Sequence, residues 1–160
     1  MLRKMARPVE SVNSPDVQAL IDGLIETLTV SNGVGIAAPQ VGVSLRLFVI
    51  APGPDPSRPD VPEAGPVAII NPEITGHSPE IVKDWEGCLS IPGIRGLVPR
   101  FRSVALRYQR RDGVSEEAEF TDFIARICQH EYDHLEGLVY LDRMDGVKDI
   151  ISDDYYRMLM

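Results

Sequence analysis

The sequence predicts an α+β fold: mixed or antiparallel sheets packed around a central helix, with an amphipathic helix near the N-terminus. Three observations carry this prediction. Val17, Leu20, Ile21, Leu24, Ile25 and Leu28 recur at helical spacing and form one apolar face. Between Phe123 and Leu135 the apolar residues fall on two nearly opposite stripes, the pattern of a helix buried on both sides. The chain between these helices holds short β-rich runs separated by Gly, Pro and Asp-Gly, which read as strands and turns.

Taken in order, Ser14 is placed to cap the first helix, with Pro15 in its first turn. The run "RLFVIA" after Leu45 predicts a strand. The stretch Pro52 to Pro66 is too rich in proline for a sheet interior and reads as an exposed loop. "VAIINPEIT" from Val67 and the alternating "SVALRYQRRDGVSEEAEFT" from Ser103 predict further strands, the latter turning at Asp112-Gly113. The two-sided helix follows, and "KDIISDDYYRMLM" reads only as an acidic tail. No repeat and no linker divides the chain, so residues 1–160 are expected to form one domain.

Composition narrows the function. A formal net charge of −8 argues against a broad nucleic-acid surface. No run approaches the ~18 apolar residues of a membrane span, and "MLRKMARPVE" lacks the apolar core of a secretory signal. Two cysteines provide no disulfide framework, which suits a reducing compartment and a cytoplasmic protein.

The chemistry concentrates in "QHEYDHLEG", Gln129 to Gly137, which contains H-E-x-x-H. On a helix His130 and His134 lie ~40° apart and one turn from each other, so they can share one metal ion. Glu131 then flanks the ion within reach of a water. Two core histidines satisfied by hydrogen bonds would produce the same pattern, and a metal needs at least a third ligand. Position 140 is Tyr140, not the third histidine of a metzincin. Asp142 or another aspartate of the tail could complete a zincin-like protease. His77 could instead close a non-catalytic site. Cys128 points ~160° from His130 and reads as a buried hydrophobe. Cys88, in "WEGCLSIPG", can approach as a thiolate or be an ordinary thiol. "GVGIAAPQVG", Gly33 to Gly42, has glycines that permit close backbone approach and an amide at Gln40 that can donate to an oxyanion. By itself it reads as a turn joining two elements.

Together "GVGIAAPQ", "EGCLS" and "QHEYDHLEG", in this order, resemble the three signature motifs of the peptide deformylases, and the similarity covers nearly the whole chain. The resemblance implies a metallohydrolase that removes the formyl group from N-formyl-methionyl peptides, the ends of nascent chains. It implies one divalent metal ion held by Cys88, His130 and His134. Fe(II) is expected in the cell, with Zn, Ni or Co as substitutes that the same mixed ligands accept. Glu131 is implied as general base and then acid, with the Gln40 side chain and the Leu89 backbone N–H as oxyanion donors. Val34, Phe123 and Ile127 are expected to line a methionine pocket, and backbone near Gly35 and Gly87 to pair with an extended peptide. Trp85 and His77 match no functional position and are read as structural.

Departures from the family pattern add further expectations. The chain begins almost at the segment "LRKMARPVE", so a first strand is expected to be missing or supplied differently. Asp122 stands where the family commonly has glycine, which is expected to alter the start of the metal helix. The acidic tail does not resemble the basic helix by which bacterial relatives dock on ribosomes, so such docking is not expected.

Overall fold

The structure, a computed structural model, describes residues 2–53, 61 and 65–159. The expected loop from Pro52 to Pro66 therefore lies largely outside the described residues.

Helix α1 (Pro15–Ser31) starts where the Ser14 hydroxyl accepts from the Val17 N–H at 3.4 Å, and Pro15 needs no hydrogen-bond partner there. It stops at Asn32, whose left-handed backbone (φ 51°) lets its N–H cap Leu28. A short strand β1 (Gly35–Ala37) follows, then a 3₁₀ turn (Ala38–Val41) carrying Gln40, then β2 (Leu47–Ile50). Strands β3 (Val67–His77), β4 (Ile81–Cys88), β5 (Ile91–Phe101), β6 (Ser103–Gln109) and β7 (Ser115–Thr121) lead into helix α2 (Asp122–Leu135). The chain returns as β8 (Ile150–Ser152) and helix α3 (Asp153–Leu159).

Two antiparallel sheets result, one in the order β1-β2-β3-β6-β7 and one in the order β4-β5-β8. Strand β2 explains why "LFVI" is apolar throughout. Leu47 and Val49 pack toward α1 with Ile21 and Leu24, while Phe48 and Ile50 pack toward α2 with Ile127 and Leu135. A strand covered on both faces cannot alternate polar with apolar. Helix α2 is likewise buried on both sides, with Cys128 and Leu135 fully inaccessible. The turn expected at Asp112-Gly113 joins β6 to β7, with Gly113 at φ 83° and the Val114 N–H bonded to the Asp112 carboxylate.

Several elements escaped the sequence reading, among them β1 in a stretch read as a turn, β5 and the returning tail. "IPGIRGLVPR" forms most of β5, because its glycines and prolines sit where bends and a partner strand tolerate them. The tail is not merely a tail: Ile150–Ser152 pairs with Ile94–Gly96, and the Ser152 hydroxyl caps the next turn at the Tyr155 N–H. That cap, with Asp153 and Asp154 in the first turn, was the available signal. The N-terminal segment is anchored through an Arg7–Leu45 parallel bridge and the Ala6 N–H bonded to the Leu135 carbonyl.

Candidate active site

Two sheet edges face one cleft of about 590 Å³. β1 ends the larger sheet and β4 ends the smaller one, and α2 forms the floor between them. Cys88 comes from the end of β4, just before the Leu89–Ser90 turn into β5. His130 and His134 come from successive turns of α2, their rings 5.0 Å apart. Cys88 Sγ lies 3.4 Å from His134 Nε2, and one ligand atom from each of the three residues falls within 4.8 Å of the others. It is the one cluster of this kind among the described residues.

The cluster fits a metal ion. Bonds of about 2.3 Å to sulfur and about 2.0 Å to nitrogen, spread tetrahedrally, put ligand atoms some 3.3–3.6 Å apart. His130 donates through Nδ1 to the Glu86 carboxylate at 2.9 Å, which directs its Nε2 inward, the arrangement that outer partners of metal ligands commonly impose. Glu131, 3 % exposed, has a buried Oε2 with no hydrogen-bond partner among the described residues. A buried carboxylate oxygen without a partner is costly unless something else meets it. Burial raises its carboxyl above the usual carboxylate range, to about 7.

Behind the ligands runs a buried ionic ladder that sequence reading did not foresee. Glu86 accepts two bonds from Arg100, one from Arg126 and one from His130. Arg100 also donates to Asp133 at 2.6 Å, and Arg143 reaches Asp133 from the surface. Burial alone would raise Glu86, but the His130 hydrogen bond and the Arg100 charge hold it well below the usual carboxylate range. Arg126 further donates to the Val82 and Val98 carbonyls, tying α2 across β4 and β5. Its place on the same helical stripe as His130 was the only sequence signal.

Gln40 is fixed by its own turn. Its Oε1 accepts from the Ala37 N–H at 2.8 Å, which aims Nε2 at Ser90 Oγ (3.1 Å) and Cys88 Sγ (3.5 Å). Leu89, half exposed, sits beside it in the β4–β5 turn. Gly35 allows a close approach that no side chain permits. A Cβ there would stand 2.5 Å from Glu131 Oε1 and 2.8 Å from Ile127 Cγ2.

Val34, Gly35, Gly87, Phe123 and Ile127 all line the cleft. Trp85, read as structural, lines it as well. His77 instead stacks on Phe101 at 3.7 Å, and Asp142 is held by Arg3 and the Val139 N–H; neither joins the cluster. Cys128 is buried, with its thiol pushed up by desolvation.

A family model described as polypeptide deformylase matches residues 1–149. The chain is 50 % identical over 159 residues to peptide deformylase 2 of a Nostoc species, covering 99 % of this chain and 89 % of that protein. It is 42 % identical to peptide deformylase 1 of Nitrosomonas europaea, covering 92 % and 84 %. Among solved structures, the Met-Ala-Ser-bound class I type b peptide deformylase from Acinetobacter baumannii is similar with a TM-score of 0.85 and 43 % identity, over 89 % of this chain and 91 % of that one. The enzyme from Thermotoga maritima gives a TM-score of 0.80 and 41 % identity, over 91 % of each chain.

Proposed function

This chain belongs to the peptide deformylase family, and from that membership we infer how its residues carry out the family's reaction. It is a metallohydrolase that removes the N-formyl group from the N-terminus of newly made polypeptides. The roles of individual residues are our reading. The observation that carries them is the convergence of Cys88, His130 and His134 beside the unpartnered Glu131 carboxylate.

Cys88 Sγ and the inward nitrogens of His130 and His134 would hold one divalent ion, Fe(II) in the cell, with Zn, Ni or Co as substitutes. The ion supplies Lewis acidity and lowers the pKa of a water to about 7 in favourable sites. Glu131 takes a proton from the attacking water and later delivers it to the departing amine nitrogen. The Gln40 Nε2 and the Leu89 N–H face the formyl oxygen as negative charge develops there. Val34, Phe123 and Ile127 receive the methionine side chain, and the open edges of β1 and β4 pair with the peptide near Gly35 and Gly87. Among the described residues no helix is long and apolar enough to cross a membrane. We read the protein as cytoplasmic, without nucleic-acid binding and without ribosome docking through its acidic tail.

The test is formate release from formyl-Met-Ala-Ser, run anaerobically with the metal quantified. Glu131→Gln should keep its metal and lose nearly all turnover. A metal-loaded mutant releasing formate above a tenth of the wild-type rate would remove Glu131 from the proton transfer.

A further inference from the structure

The cleft does not end at the catalytic cluster. Asp153, Tyr156 and Arg157 of α3 line it together with Arg95 and Trp85. Helix α3 has no buried residue, so core packing does not fix it there. It is held instead by contacts at the cleft wall. The Arg95 guanidinium lies 4.3 Å from the centre of the Tyr156 ring, and Arg95 Nε donates to the Asp153 carboxylate at 2.8 Å. Trp85 meets the same ring edge-on at 6.4 Å.

This shelf adjoins the catalytic residues directly. A Cβ on Gly87 would stand 3.6 Å from the Arg95 guanidinium carbon, and Gly87 immediately precedes Cys88. An extended peptide advances about 3.3 Å per residue, so a chain whose formyl group meets Cys88 and Glu131 can reach past Gly87 within a few residues. We propose that Tyr156, supported by Arg95 and Trp85, forms a downstream subsite holding the formyl peptide beyond its second residue. This rests on the deformylase reading of the cleft.

The chemistry of the shelf says what it takes. Asp153 offsets the Arg95 charge and Asp154 that of Arg157, so the shelf selects by contact area rather than by sign. Trp85 and Tyr156 offer aromatic surface to an apolar or aromatic side chain. The terminal nitrogens of Arg95, beyond the Nε used by Asp153, are donors suited to a peptide carbonyl. Tyr156 is thus a specificity-determining residue, and the tail's return to β5 is what delivers it.

Steady-state kinetics on two substrates, formyl-Met-Ala and amidated formyl-Met-Ala-Ser-Phe, test the proposal. Tyr156→Ala should raise KM for the tetrapeptide about fivefold, the loss expected for one aromatic contact, with kcat nearly unchanged. The dipeptide, too short to reach the shelf, should change less than about twofold on the same reasoning. Tyr156→Phe keeps the ring and should match wild type on both. Equal losses on both substrates, or none on the tetrapeptide, would overturn the subsite. Wild-type release of formate from the dipeptide checks the activity independently, so a failed deformylase reading and a failed subsite give different results.

Discussion

Gln40 shows how one side chain depends on its neighbours at the scale of a residue. Because Oε1 is held by the Ala37 N–H, the amide cannot turn its nitrogen away from Cys88 without losing a bond. Gln40→Leu should therefore leave metal content unchanged and lower kcat by about a hundredfold or more, the loss typical of one oxyanion donor. Gln40→Glu should be similarly impaired, since a carboxylate would accept from Ala37 yet present an oxygen to the oxyanion. A folded, metal-loaded Gln40→Leu within threefold of wild-type kcat would exclude the role. Gly35 makes the complementary point. Its neighbours leave no room for a methyl group, and the nearest is the Glu131 carboxylate itself. Gly35→Ala should push Glu131 aside and lower kcat at least tenfold, with overpacking costing about 1–3 kcal/mol of stability. Urea unfolding and formate release on the same sample would check both parts, and unchanged kcat would mean the strand moves instead.

At the scale of elements, the start of α2 carries a strained position. Asp122 has φ 51°, the left-handed region where glycine is at ease and a side chain is not. That backbone is the physical reason a glycine suits this place. At the helix start the Asp122 N–H bonds to the Arg102 carbonyl at 2.7 Å, and Arg102 Nε bonds to the Asp122 carboxylate. This ion pair is solvent-exposed and worth little. Asp122→Gly relieves a left-handed strain of about 1–2 kcal/mol against a glycine entropy cost of about 0.5–1 kcal/mol, so it should stabilise the protein by up to about 1 kcal/mol, seen as a rise in the urea midpoint with activity retained. A lower midpoint would show that the Arg102 pair outweighs the strain. The same scale explains why β5 and the tail were hard to read. Their register comes from long-range pairing with β4 and from each other, and neither has a local apolar period of its own.

Across the whole molecule, the ladder from Arg143 through Asp133, Arg100 and Glu86 to His130 ties the surface to the catalytic cluster. Removing one member leaves buried charges uncompensated. Glu86→Gln in the metal-free protein should cost about 3–5 kcal/mol at pH 7, because Arg100 and Arg126 stay buried without their counter-charge. The pH dependence follows from the lowered Glu86 carboxyl. Its stabilising contribution is complete above its ordinary value of 4.5 and is lost as pH falls below that toward its depressed folded value. The Glu86 part of the difference between wild type and Glu86→Gln should therefore shrink only below its ordinary value of 4.5. A gap that widened below pH 4.5 would contradict this charge state.

The sequence by itself determined whatever depends on local periodicity or on fixed spacing along one element. The amphipathic α1 with its Ser14 cap, the two-sided α2, the β6–β7 turn and the i, i+4 histidines are all of this kind, and so is the choice of chemistry, since the three motifs carry it intact. Only the tertiary structure decided which distant groups meet. It brought Cys88 against His134 across 46 positions, set Glu86 behind His130, and folded the tail back so that Tyr156 faces the cleft beside Trp85. Such contacts depend on sheet pairing and on the burial of charges against one another. Both are free energies shared by residues far apart in the chain, so no short window of sequence contains them.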